Sequence, residues 1–206
     1  MRFSEYSIQP EYPWSCQEPT VDRRGAVTVL FLPRSDLASL FEQARYRAFQ
    51  FEVEDEHVVS DEHEPMRRYQ AGLVPLDPDD YPVLWKEWED LSDTTTARGV
   101  AMQRVRVVTE PLTEYIRFLH AVTGRNQAHG EDIRWLPRHW LNPEDYTTDE
   151  WCLIDDDTLA WTLFDEEDFV GYGLTDDPVE VARAIAVRDA LWAKAVPHTD
   201  YVPADR

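Results

Sequence analysis

Arg104, Arg106 and Arg134, with Asp132 and Glu110 close by in sequence, are the residues whose type and spacing point most directly to chemistry. A guanidinium presents a planar fork of donors that matches a carboxylate or a phosphate. Arg104 and Arg106 are two apart in QRVRVV, and Arg134 follows Asp132 by two in EDIRWLPR. Residues two apart on a strand share a face. If these strands are neighbours, Arg104, Arg106, Asp132 and Arg134 gather on one side of a sheet, and Glu110 and Asp132 orient the guanidiniums. Two readings follow. Either the cluster is a pocket for a small anion, with Arg67, Arg68 and Arg117 as outer candidates, or each arginine is solvated or paired with a local carboxylate. Strands covered on both faces are normally apolar runs, so charges here need a partner of one kind or the other.

The elements that must position these residues lie between Ala97 and Arg138. Met102 to Val108 is short and β-rich, and Asp132 to Leu136 is a second strand. Between them Thr109 is the expected helix cap, with Glu110 and Pro111 in the first turn. Leu112, Tyr115, Ile116 and Leu119 recur at helical spacing. Strand, crossover helix and parallel strand make a right-handed βαβ unit. The predicted fold is therefore α/β, a mixed sheet covered by helices.

Around this unit the chain reads in order. Residues 1–33 form an arm whose Gly25 to Pro33 run is an extra strand for a sheet edge. Residues 34–206 form a single α/β domain. Ser35 or Asp36 caps a helix with Leu37, Leu40, Phe41 and Ala44 on one side. Phe49 to Val53 alternates as a strand. Asp55-Glu56-His57 and Asp61-Glu62-His63 contain metal-ligand types, but their spacing follows no metal motif, and a solvated acidic loop is the expected outcome. A short helix over Glu62 to Ala71 and another opened by Asp80, with Leu84, Trp85, Trp88 and Leu91 inward, lead back to the βαβ unit. Trp151 to Ile154, Leu159 to Phe164 and Phe169 to Leu174 form an antiparallel meander with turns at Asp155 to Asp157 and Glu166 to Asp168. The last helix starts at Asp177, Pro178 and Glu180, buries Val181, Ala184, Ile185, Leu191 and Trp192, and stops at Pro197 before a polar tail.

Composition narrows the function classes. The 206 residues hold 20 basic and 41 acidic side chains, a net charge of −21. Such a chain repels phosphate backbones and anionic lipid, which argues against direct nucleic-acid or membrane binding. A basic protein is the better-matched partner, and the Gly25 to Pro33 run is the candidate contact for a homodimer or a partner. Cys16 and Cys152 follow no metal or redox spacing, and no apolar run is of signal-peptide or membrane-spanning length, so the expected setting is the cytoplasm with reduced thiols. The 7 glycines are unclustered, so there is no glycine-rich phosphate loop. Neither a nucleophile elbow nor a His-Glu-x-x-His zinc pattern occurs. No metal or cofactor is expected.

Four words of the sequence carry a resemblance: Phe49-Gln50-Phe51-Glu52-Val53, RVRVVTEPL from Arg104 to Leu112, EDIRWLPR from Glu131 to Arg138, and TDDP from Thr175 to Pro178. Through them the span from Leu37 to Tyr201 resembles an actinobacterial family of domains of unknown function. Its members are often encoded beside helix-turn-helix regulators of the Xre type. In its order of elements the chain is also similar to the phospholipase D-like effector domains of regulators. The enzymes of that superfamily use a His-x-Lys pair, and none of the six histidines here has Lys two residues on. The resemblances imply a non-enzymatic regulatory or protein-interaction domain whose partner is a helix-turn-helix regulator or other basic protein. The alternative is an enzyme or sensor that binds a small anion through the arginines.

Overall fold

The computed structural model describes residues 29–57, 59–73, 85–164 and 169–204. Eight strands form one mixed sheet: β1 (Leu30–Pro33), β2 (Arg47–Glu52), β3 (Ala101–Val108), β4 (Glu131–Pro137), β5 (Trp151–Ile154), β6 (Thr158–Phe164), β7 (Phe169–Thr175) and β8 (Val196–Pro197). Their order across the sheet is β1-β7-β6-β5-β2-β3-β4-β8. Five helices cover it: α1 (Leu37–Glu42), α2 (His63–Gln70), α3 (Glu87–Ala97), α4 (Glu114–Ala128) and α5 (Pro178–Lys194). The α/β class, the mixed sheet, the three-strand meander and the extra edge strand are all present.

β2, β3 and β4 are parallel neighbours, as expected of strands joined by helical crossovers. α4 makes the β3–β4 crossover, but it begins later than the sequence suggested. Its cap is Thr113, whose hydroxyl accepts from the Ile116 amide, and Thr109 instead donates to and is held by Asp55. α3 begins at Glu87, and the Asp80 start together with Leu84 lies outside the described residues, as does most of the 1–33 arm.

Alternation along the strands builds two cores. On one face Phe49, Phe51, Val105, Val107, Leu136, Trp151 and Leu153 pack against Val181, Ala184 and Leu191 of α5. On the other face Ala48, Met102, Cys152 and Ile154 meet α1 and α3, while Val108 and Trp135 meet α2 and α4. Asp177 caps α5 by accepting from the Val179 and Glu180 amides. Its inward stripe contains one residue the sequence reading passed over. Arg188 is buried and pairs with Asp156 in the β5–β6 turn and with Asp189. Ile185 and Trp192 pack only at the margin of that core. Asp155 and Asp156 both have positive φ, as a type I′ hairpin turn requires, and Asp is among the side chains that tolerate it.

Two ends of the sheet differ. β1 is an edge strand paired with β7, with Leu30 64% and Phe31 56% exposed. Gly171 of β7 has φ +148, and a Cβ there would stand 2.2 Å from the Leu32 carbonyl oxygen, so glycine permits the close approach of the two backbones. At the far end, Pro197 does more than stop a helix: with Val196 it pairs antiparallel to β4. The following tail is not simply polar, because Tyr201 is buried against Trp135.

Candidate functional site

The register of the parallel strands decides which charges meet. Arg104 lies beside Ile133 and Gln50, and Arg106 beside Trp135 and Glu52. Arg134 lies beside Val105. Arg134 and Asp132 are thus on the opposite face from Arg104 and Arg106, and the expected four-residue cluster does not form. The physical reason is the pattern of bulk. Ile133 and Trp135 are fully buried, and a one-residue slip that brought Arg134 under α4 would move both to the other face. Arg134 instead forms hydrogen bonds with Asp132 and lies 3.7 Å over the Trp192 ring of α5, a cation–π contact.

The face beneath α3 and α4 carries a buried polar layer built mainly from residues the sequence reading did not single out. Gln50 and Glu52 come from β2, Arg104 and Arg106 from β3, and Glu131 from the start of β4. Arg104 donates from Nε to Glu131 Oε1 at 2.7 Å and from Nη1 to Glu52 Oε1 at 2.6 Å. Arg106 donates from Nε to Glu52 Oε2 and from Nη1 to Thr123 of α4 at 3.3 Å. Glu131, 2% exposed, also accepts from Gln50 Nε2 at 3.1 Å, Trp88 Nε1 at 3.3 Å and Asn126 Nδ2 at 3.1 Å. The Arg104 and Arg106 guanidiniums rest over Trp88 and Trp135. Two guanidiniums and two carboxylates therefore balance, and the lone pairs of Glu131 are filled as a buried carboxylate requires.

Electrostatics follow from this pairing. Burial pushes the Glu52 carboxyl up, but the Arg104 and Arg106 charges and the Arg106 hydrogen bond outweigh it and hold it at about 2. Burial opposes the Arg104 charge, yet Glu131 and Glu52 raise its pKa above the ordinary arginine value. The Cys152 thiol beneath the layer is pushed up to about 12, chiefly by burial, so it is an unreactive core residue at neutral pH.

The layer continues to the C-terminal ends of β2 and β3, where Asp55, His57, Asp61 and Glu62 of the two Asp-Glu-His words are engaged. Glu150 accepts from the Val53 and Glu54 amides and meets His57 Nε2 at 3.1 Å. His57 stacks on Phe164 and stands edge-on to Tyr115. The Tyr115 hydroxyl donates to Glu62 at 2.7 Å. Asp55 takes Thr109 and Arg138, and Asp61 takes Arg34. The expected solvated acidic loop is thus tied at these four residues, while Glu56 and His63 are exposed. No group of metal-ligating side chains is assembled among the described residues.

Burial lowers the His57 pKa, but the hydrogen bond and charge of Glu150, with Glu52 and Glu62, overcome it and leave the pKa raised. A folded-state pKa above the unfolded one gives stability that is present below the unfolded pKa and lost as pH rises through the folded pKa. His57→Gln is expected to abolish that part of the pH dependence. Imidazole NMR on the wild type checks the premise, and a His57 midpoint at or below the ordinary value of 6.5 would contradict it.

The remaining site candidates are dispersed. Glu110 accepts from the Tyr201 hydroxyl at 2.8 Å and the Ala204 amide, far from orienting Arg104. Arg67 pairs with Glu64 at the surface, Arg68 lies on the same short helix, and Arg117 donates to the Leu112 carbonyl at 2.6 Å. A shallow cleft elsewhere is lined by Leu32, Leu40, Arg45, Asp155, Asp157 and Leu174. Its Arg45 is taken by Asp155 and Asp157. The signal that could have found Glu52 was present in Phe49 to Val53, where Gln50 and Glu52 alternate with apolar residues. Nothing in the sequence placed Glu131 at the focus of the layer.

A family model described as a domain of unknown function, DUF6879, matches residues 35–203. The chain belongs to that family. No curated protein sequence matches it. Among solved structures it is similar to a phospholipase D family member, Nuc from Salmonella typhimurium, at 12% identity and TM-score 0.48, covering 84% of this chain and 97% of that one. It is also similar to NucT from Helicobacter pylori, at 13% identity and TM-score 0.44, covering 84% and 98%. A third likeness is to TrmBL2, an archaeal chromatin protein with a novel mode of DNA binding, at 12% identity and TM-score 0.43. It covers 82% of this chain, which spans 54% of that protein. No helix among the described residues is long and apolar enough to cross a membrane.

Proposed function

We propose that this chain is a cytoplasmic, non-catalytic interaction domain of an actinobacterial regulatory system, whose partner is a helix-turn-helix regulator of the Xre type or another basic protein. The observation that carries the reading is the state of the RVR arginines. Arg104 and Arg106 are buried and already engaged by Glu52 and Glu131, so their positive charge serves the fold. The alternative, an anion-binding enzyme or sensor, needs those forks free and has correspondingly less support. A net charge of −21 favours a basic protein surface and opposes phosphate backbones.

The test is capture of partners by the purified chain from its native host, followed by reconstitution with any helix-turn-helix regulator or other basic protein recovered. The expected result is a complex that co-elutes at low salt and weakens as ionic strength rises, because exposed charges are screened. Recovery of no basic protein partner, or turnover of a phosphodiester by the purified chain alone, would overturn the proposal.

A further inference from the structure

The edge of β4 is covered by the chain's last described segment, residues 196–204. This strap is tied at three points. β8 pairs with Arg134 and Trp135, and the His198 amide donates to the Ile133 carbonyl at 3.0 Å. Tyr201 stacks on Trp135 with rings 5.6 Å apart and 8° from parallel. The Tyr201 hydroxyl and Ala204 amide donate to Glu110. The family match runs to residue 203, so the strap belongs to the family domain, whereas β1 precedes it.

Two imidazoles meet at the strap, one from α4 and one from the strap itself. His120 of α4 and His198 have ring centroids 4.7 Å apart, and both face Trp135. His198 Nδ1 accepts from Trp135 Nε1 at 3.0 Å, so this nitrogen carries no proton in the closed arrangement. Protonating it would replace a hydrogen bond with two donors pointing at each other. His120 Nε2 is buried without a hydrogen-bond partner among the described residues. The charged and titratable groups around the pair come from every adjoining element. Arg106 of β3 lies over the Trp135 ring, Glu110 holds Tyr201, and His139 stands 3.8 Å from Glu110. Asp200 is exposed on the strap itself.

We propose that residues 196–204 are an acid-released strap, closed over the β4 edge at neutral pH and opened when His120 and His198 take up protons. Two imidazolium ions at this separation repel each other and are both repelled by Arg106, and the Trp135 bond is lost. Glu110 is tied to the hydroxyl of Tyr201 and to the Ala204 amide and does not reach the rings. Burial lowers the pKa of both histidines, the charge of His120 lowers that of His198, and Arg106 lowers both further; the bond that His120 donates to the Tyr201 backbone acts the other way without reversing the shift. The sign is therefore opposite to that of His57. The closed strap is fully favoured above the ordinary histidine value of 6.5 and loses stability as pH falls through it. Opening uncovers the β4 backbone, an unpaired edge of the kind that accepts another strand.

Hydrogen exchange on the full chain tests this, with rates corrected for intrinsic exchange. Between about pH 7.5 and about pH 5, protection of the His198 and Ala204 amides should fall about tenfold, while Phe49 and Leu153 keep theirs. His120→Gln should remove most of that fall. Imidazole NMR on the wild type gives a second reading that needs no variant, with both rings expected to titrate below 6.5. Equal protection at the two pH values, a fall shared by Phe49 and Leu153, an unchanged fall in His120→Gln, or either ring titrating at or above 6.5 would each overturn the proposal.

Discussion

Arg104→Met lowers the free energy of unfolding by about 3–5 kcal/mol, the usual cost of removing one partner from a buried ion pair. Met keeps much of the arginine's length and its packing on Trp88 but removes the fork. Glu131 is then left charged and shut away from water, and Glu52 loses one of its two guanidiniums. Desolvation of the orphaned Glu131 carboxylate is the term that dominates, since the apolar contact of the side chain is largely replaced. A loss of this size is a large share of a typical domain's stability. It shows as a lower denaturant midpoint in a two-state melt. A variant within about 1 kcal/mol of the wild type would mean that Arg104 balances no buried charge.

Glu131→Met is expected to cost at least as much, about 5 kcal/mol or more, because it strands donors as well as a charge. Arg104 loses its bond from Nε, and Gln50, Trp88 and Asn126 each lose their acceptor in the same stroke. An unsatisfied buried polar group costs about 1–3 kcal/mol, although relaxation and entering water make such costs less than additive. The double variant Arg104→Met with Glu131→Met should recover part of the combined loss, since an apolar replacement of a whole buried pair is often tolerated. Denaturant melts of the two single variants and the double one give the coupling. A double variant whose loss equals the sum of the singles would show that the two residues act independently.

The fold was legible where periodicity and capping agree. The βαβ unit, the β5–β7 meander, the edge strand and the Asp177-Pro178 start of α5 follow from alternation and end signals within a few residues of each element. The site was legible only in part. Alternation correctly put Arg104 and Arg106 on one face and Asp132 and Arg134 on one face, but it carries no information on how neighbouring strands slide past each other. That register came from the bulk of Ile133 and Trp135, a tertiary fact. Glu131 reads as a polar residue at a strand's first position, which is ordinarily a solvent site. Here α3 and α4 close over it and supply Trp88 and Asn126. Tyr201 and Arg188 show the same limit, since a polar-looking tail and a helix arginine are buried by elements far away in sequence.

The most direct test of the central claim is the melting midpoint of the wild-type chain with a panel of phosphates and carboxylates, each matched in ionic strength to chloride. Matching matters because a chain of net charge −21 gains from screening by any salt. If Glu52 and Glu131 neutralise the arginines from within, every anion gives the same midpoint as chloride, with no saturation. A single anion that raises the midpoint saturably, as ligand binding to the native state must, and that loses this effect in Arg104→Met, would contradict the account.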